Sequence, residues 1–342
     1  MKQIRAVLKA DCEDLHSQLD LGSELHRALN GTYSGDRQKL NALTARSRRQ
    51  SYVNGVVSIY GLLEENIDKL VIEVASAYGG IFELHSDLPE RMRDAHREYL
   101  LRFLLEKDKI RLREPIQENA ALHALMSASS GVSPNLLPSI LTYATANYRH
   151  SYILDLLHRV DVDARKRVEG GRVAEKLADS GLNFASVDSL ILDLVTRRNE
   201  VAHSYHTVDM LDVDTLKAYL DVMQAYIQEL QIAASEKVLR VLSEKRLQPI
   251  GKVAKAWTSA LGVDMDAGSI EAPCSVLLVR ESGISALDID SLQSGGQSIP
   301  GTVRHLSDVL KMGLGFSAGK PGNVEGASVF VLPDRWEYLR LF

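Results

Sequence analysis

Arg197-Arg198-Asn199-Glu200-Val201-Ala202-His203-Ser204-Tyr205-His206 is the stretch of this chain where groups able to act on a phosphodiester lie closest together. A guanidinium offers a planar fork of donors to phosphate oxygens, and an imidazole exchanges a proton near neutral pH. Those are the two services required when an RNA 2′-hydroxyl attacks its own phosphate, and that reaction needs no metal. Five residues of helix turn through about 500°, so Arg198 and His203 leave the axis on different azimuths, yet a long Arg at a helix end can still converge on the same phosphate. Asn199 and His203, four apart, share a face.

The spacing alone proves nothing, because Arg91 and His96 repeat it in Arg91-Met92-Arg93-Asp94-Ala95-His96, where a charge-rich helix predicts a solvated face. Context separates the later copy: Asn follows Arg directly, the small Ala202 precedes His, and the segment lies between an apolar helix and a long following one. A purely structural role competes with the chemical one, with Arg198 capping the last carbonyls of its helix and His203 as a satisfied interface histidine.

The elements that must position this segment are helical. Val56, Val57, Tyr60, Leu63, Ile67, Leu70, Val71 and Val74 recur at helical spacing, as do Leu190, Ile191, Leu194 and Val195. Leu216, Tyr219, Leu220, Met223, Tyr226, Ile227, Leu230 and Ile232 predict a long helix from about Asp214 to Glu244, without internal Gly or Pro. Past Gln248 the texture changes: the last 95 residues hold 12 of the 23 glycines and 5 of the 9 prolines. Short β-like runs follow, Ser275–Val279, Ala286–Leu292 and Ser328–Leu332, separated by turn residues such as Gly295-Gly296 and Pro321-Gly322. The expected fold class is multidomain α + β: an all-α bundle over residues 1–247, then a small antiparallel β-barrel over 248–342. A length of 342 residues agrees with two domains.

Composition narrows the function classes. Forty Lys and Arg against 45 Asp and Glu give a net charge of −5, which excludes a global basic field but not a locally basic cleft. Cys12 and Cys274 supply neither a disulfide framework nor a zinc set, which fits a reducing compartment. The opening Met1-Lys2-Gln3-Ile4-Arg5 runs into Asp11, Glu13 and Asp14 without the apolar stretch of a signal peptide, and no span reaches about 18 apolar residues. A cytoplasmic protein with no membrane partner is expected.

Other candidates are weaker. Glu64 and Glu65 could orient Arg198 from a neighbouring helix, although adjacent glutamates more often divide between a polar face and an interface. His206 follows His203 closely, but no Cys or second His pair completes a ligand set, so neither metal nor other cofactor is expected. Asp163-Ala164-Arg165-Lys166-Arg167-Val168-Glu169-Gly170-Gly171-Arg172 can touch RNA phosphates or be a plain solvated loop, and its interspersed acids favour the loop. Gly313-Leu314-Gly315 lacks the setting of a nucleotide loop and reads as strand geometry.

With these residues in view, roughly residues 45–240 resemble the HEPN superfamily, specifically the RiboL-PSP-type HEPN ribonucleases. The resemblance rests on Arg198-Asn199-x-x-x-His203, followed by Ser204, and on Tyr60-Gly61-Leu62-Leu63-Glu64-Glu65-Asn66-Ile67, which looks like the family's aromatic-plus-Glu helix. It implies a helical bundle that dimerises so that two Arg/His motifs face each other as one metal-independent endoribonuclease site. Arg198 and His203 would be the catalytic pair with Asn199 as polar partner, supported by Glu64, Arg197 and Ser204. Residues from about 78 to 172 exceed the minimal bundle and imply an insertion. Residues 248–333 resemble the second domain of translational GTPases, a six-stranded barrel, through Gly251-Lys252-Val253, Asp266–Ile270, Ser275–Arg280, Asp288–Gln293 and Val309–Phe316. Ala272-Pro273-Cys274 departs from that family's usual Gly-Asp turn. The resemblance implies a contact with translation RNA, while eight basic against ten acidic residues fit a generic docking platform equally well. The expectation is a homodimeric endoribonuclease, a toxin or effector of a prokaryotic defence or toxin-antitoxin system, with RNA as substrate and an antitoxin or regulatory protein as further partner. The alternative is a non-catalytic HEPN scaffold that binds RNA or a partner protein.

Overall fold

The structure is a computed structural model that describes residues 1–32, 37–106, 115–130, 135–143, 146–203, 209–266, 268–295, 297–299, 302–304, 310–316 and 323–339. Among the described residues nine α-helices precede ten strands: α1 (Lys2–Thr32), α2 (Arg37–Ile81), α3 (Glu90–Glu106), α4 (Glu118–Ser130), α5 (His150–Arg159), α6 (Arg165–Val168), α7 (Gly171–Asp179), α8 (Val187–His203) and α9 (Val213–Lys245), then β1 (Pro249–Ala256), β2 (Ala260–Met265), β3 (Ser269–Glu271), β4 (Cys274–Arg280), β5 (Gly283–Ile289), β6 (Ser291–Ser294), β7 (Gln297–Ile299), β8 (Thr302–Arg304), β9 (Leu310–Gly315) and β10 (Ser328–Leu332). The helical region followed by antiparallel strands is the fold class that the sequence predicts. Among the described residues no helix is long and apolar enough to cross a membrane.

The chain divides into two compact units. One comprises Gln3–Gly79 and Glu83–Ala234; the other comprises Met1–Lys2, Gly80–Phe82 and Ser235–Phe342. In the first, α1 buries Ile4, Leu8, Cys12, Leu15 and Leu19, a stripe at steps of three and four residues. On α2 the predicted stripe is buried from Val56 to Val74 except for Val57, which is 48% exposed because it falls between faces. The predicted long helix is α9, and within this unit it is buried on nearly every side, including Leu216, Tyr219, Val222, Met223, Tyr226, Glu229 and Gln231. A helix that is apolar all round sits at the centre of its bundle. Each fully buried aliphatic side chain of this kind contributes about 1.5–3 kcal/mol.

Two expectations about charged segments resolve here. The solvated-face reading of Arg91–His96 is wrong for His96, which is fully buried, whereas Arg91 is exposed beside Asp161. The reason is periodicity: Met92, His96, Leu100 and Phe103 form the inward stripe of α3. The basic run 163–172 is largely paired within the fold, with Arg165 on Glu169 at 2.7 Å and Arg167 on the buried Glu229 at 3.0 Å. Within the 78–172 segment, Arg159 clamps α5, donating to the Leu141 and Tyr143 carbonyls and to Asp155 while its guanidinium lies 4.3 Å from the centre of the Tyr99 ring.

In the second unit eight strands form one antiparallel sheet, in the order β5-β4-β10-β1-β2-β9-β6-β7, and β3 pairs with β8. Among the described residues the edge strands β5 and β7 do not pair, so the expected six-stranded barrel is an open sheet with more strands. The run Ala286–Leu292 is two strands, β5 and β6, separated at Asp290, whose N–H donates to the Gly315 carbonyl. Gly313-Leu314-Gly315 lies in β9 as expected, in register with Gln293, Leu292 and Ser291. Gly251 sits at a break in the β1–β10 register, and a Cβ there would come 2.2 Å from the Asp264 carbonyl oxygen, so only glycine lets the strands approach. Val253, Leu261, Val263, Met265, Leu278, Ile289, Met312, Leu314 and Val329 make the core on one face. Leu277 and Phe330, paired across β4 and β10, are buried as well, so these strands are covered on both faces. The same unit holds the last turns of α9, where Arg240 donates to the Arg280 carbonyl at 3.0 Å.

Candidate functional site

The buried positions of α8 are Val187, Leu190, Ile191, Leu194 and Val195. Continued by three and four residues, that stripe reaches Arg198, so a guanidinium stands where the repeat calls for an apolar side chain. Arg198 is half-buried, and its guanidinium carbon lies 5.1 Å from the centroid of the Tyr60 ring on α2. Cation–π contact of this type contributes about 0.5–2 kcal/mol and fixes the plane in which the donors point. Its Nη1 donates to Asn199 Oδ1 at 3.2 Å, which joins the two neighbouring motif residues. Arg198 therefore rests on an aromatic ring and an amide.

Tyr60 is held in turn. Its hydroxyl accepts the Tyr148 backbone N–H at 3.0 Å and feels the charge of Glu64, one helical turn further along α2. Tyr148 donates its own hydroxyl to Asp68, a turn beyond Glu64, in a short buried contact. Tyr60, Glu64 and Asp68 thus line one face of α2 at intervals of four. Burial first, and then the Glu64 charge, push the Tyr60 hydroxyl well above its ordinary range, while the Tyr148 N–H and, less strongly, Arg198 pull the other way; the group stays a neutral phenol. Glu64, half-buried, and Arg198 thus bear on the Tyr60 hydroxyl in opposite senses.

Arg197 faces elsewhere. Its Nε donates to Asp193 at 2.6 Å, and its Nη1 donates to the Asp209 carbonyl at 2.8 Å and to the Tyr52 hydroxyl at 3.3 Å. Asp193 also accepts the Tyr219 hydroxyl at 2.6 Å. Successive helical residues diverge by about 100°, so the two arginines reach positions eight residues apart on α2, Tyr52 and Tyr60. Arg197 ties α8 to α2 and to the chain just before α9, leaving Arg198 as the guanidinium beside the helix end.

His203, the last residue of α8, is exposed. Five residues past Arg198 it lies about 7.5 Å further along the axis and about 140° around it, so the two side chains leave α8 in different directions. Ser204, Tyr205 and His206 fall outside the described residues. Among the described residues no group of three or more His, Cys, Asp or Glu is arranged to hold a metal.

Tyr148, Asp68, Tyr52, Asp193 and Asp209 were not singled out from the sequence. Their partners lie 80 to 145 residues away in the cases of Tyr148 with Asp68 and Tyr52 with Arg197, and no local pattern carries such pairings.

A family model described as RiboL-PSP-HEPN matches residues 27–236, a span that begins in α1 and ends in α9. Comparisons with curated proteins and with solved structures find no match. Because that span takes in more than half of the chain, and encloses both the Arg198 helix and the Tyr60–Glu64 turn beneath it, the protein belongs to the RiboL-PSP-HEPN family.

Proposed function

We propose that the protein is a metal-independent endoribonuclease whose catalytic residues are Arg198, Asn199 and His203. The observation that carries this reading is the guanidinium of Arg198, placed on the Tyr60 ring and bonded to Asn199 at the end of the helix that terminates in an exposed His203. A charge kept at an inward position, with an aromatic support, is suited to meeting a phosphate oxygen as it gains charge. His203 removes the proton of an RNA 2′-hydroxyl; the 2′-oxygen bonds to phosphorus, the bond to the 5′-oxygen breaks, and that oxygen leaves with a proton. The products are a 2′,3′-cyclic phosphate and a 5′-hydroxyl. Two half-sites facing across a two-fold axis supply the second proton-handling His203 and enclose the phosphate, so the active form is a homodimer. Translation RNA is the substrate class, selected by the C-terminal sheet, and the biological setting is a toxin or effector.

Incubation of the full chain with total tRNA in excess chelator tests this. Cleavage with 5′-hydroxyl ends is expected, reduced at least about a hundredfold in folded His203→Ala and Arg198→Ala variants. Light scattering should report twice 37.8 kDa. Full cleavage by His203→Ala sinks the assignment, and RNA binding without cleavage by the unaltered protein leaves a non-catalytic scaffold.

A further inference from the structure

A cavity of about 590 Å³ opens among α1, α2 and the start of α9, within the helical unit. That volume falls inside the range of small-ligand sites. Its two sides differ in charge: Arg27 on α1 and Arg48 on α2 line one, whereas Asp212 and Asp214 line the other, at the head of α9. Asp212 accepts the Thr215 N–H at 2.7 Å, and this bond holds its carboxyl below the usual range, so it is ionised at neutral pH. Between the charged rims lie Tyr52 and Leu216. The cavity is joined to the catalytic helix by Arg197, which donates to Tyr52 on its wall and to the carbonyl of Asp209, the residue before wall residue Met210.

We infer that this cavity binds one nucleotide of the RNA strand beside the phosphate that is cut. Its chemistry is that of a nucleoside phosphate: two guanidinium groups for the phosphate, two carboxylates to accept from ribose hydroxyls or a base amine, and an apolar floor for the base. The polarity across the cavity sets the direction in which the strand runs, with its phosphate toward α1 and α2 and its sugar toward α9. The partners of Arg197 and Arg198 on α2, Tyr52 and Tyr60, lie about 12 Å apart along the helix, so a strand seated here reaches the half-site by running along α2. This inference rests on the ribonuclease reading for its placement along the strand; binding itself does not depend on cleavage.

The test uses the full-length His203→Ala protein, which leaves RNA intact on that reading, and a fluorescein-labelled 12-nucleotide single-stranded RNA followed by anisotropy at several salt concentrations. Arg27→Ala with Arg48→Ala, both exposed positions, should weaken binding at least tenfold and lower the slope of log affinity against log salt by about 0.7, the value for one phosphate no longer neutralised on a single strand. Ser47→Trp, which fills the cavity without removing a charge, should weaken binding comparably while the thermal midpoint stays unchanged. RNA affinity within twofold of the parent in both variants overturns the inference, whether or not the unaltered protein cleaves RNA. Loss of binding to nucleoside 5′-monophosphates with unchanged RNA affinity overturns the placement on the strand and makes this a site for a free nucleotide. Loss of RNA affinity in a protein whose unaltered form never cleaves keeps the cavity as an RNA site and overturns only the ribonuclease reading.

Discussion

Arg198 and Tyr60 divide their work between ring and hydroxyl, and substitution can separate the two. Tyr60→Leu removes the face on which the guanidinium lies; RNA cleavage should fall about 10- to 100-fold, because the charge is still present but no longer aimed. Tyr60→Phe keeps the face and removes the oxygen that accepts the Tyr148 N–H at 3.0 Å. A buried donor left without its partner costs about 1–3 kcal/mol, so this variant should unfold at lower denaturant while cleaving at nearly the parental rate. Equal loss of activity in both variants would place the function in the hydroxyl. Arg198 itself was legible in the sequence, because the apolar repeat of α8 leads to it and Asn199 follows it. The tether role of Arg197 was not, since it depends on Tyr52 and Asp209, which no helical repeat links to it.

At the scale of elements, α3 carries a pH response that its sequence hides behind charges. The Leu137 N–H donates to Nε2 of His96 at 3.2 Å, so neutral His96 carries its proton on Nδ1, 3.4 Å from Nε2 of the buried His85. Burial, then the neighbouring His85, lower the His96 pKa to about 3; burial, then Arg93 and Arg97, lower that of His85. An unfolded imidazole titrates near 6.5, so below that pH the unfolded chain takes up protons that the folded one refuses. Stability from this pair is complete above about pH 6.5 and declines as pH falls toward 3, by about 2 kcal/mol at pH 5 for His96 alone. Urea midpoints of the parent and of His96→Gln, which keeps an acceptor for Leu137, should therefore converge as pH drops from 7 to 5; parallel curves would contradict the assignment. The helices were legible wherever apolar spacing was regular, as in α8 and α9. The split of Ala286–Leu292 into β5 and β6 was not, because alternation continues through Asp290 and only its bond to Gly315 marks the break.

For the whole molecule, the change in glycine and proline content at Gln248 located the strands but not the limits of the compact units. The unit that holds the sheet also takes in Ser235 to Lys245 of α9, together with Met1–Lys2 and Gly80–Phe82. Val238, Leu239 and Leu242 are fully buried within that unit, so their helical spacing reads as a continuation of the bundle although they belong to the sheet's surroundings. Composition senses turns and strands; it carries no information about which neighbour covers a helix face.

The helical unit has a consequence for the order in which the chain acquires its structure. It is almost continuous in sequence and ends at Ala234, so everything it needs for its core has been synthesised while the 108 residues from Ser235 to Phe342 are still to come. At about 5–20 residues per second the interval lasts on the order of 5–20 s. Nascent chains stalled after the helical unit has cleared the ribosome should already resist brief proteolysis over residues 3–234, and protection arising only in the finished chain would contradict this order. On the proposed ribonuclease reading, with the sheet selecting the RNA, each newborn copy spends those seconds as a nuclease half-site without its selector, attached to a ribosome crowded with RNA. On that same reading dimerisation works as the safety catch: a half-site on one nascent chain stays idle until it meets a second.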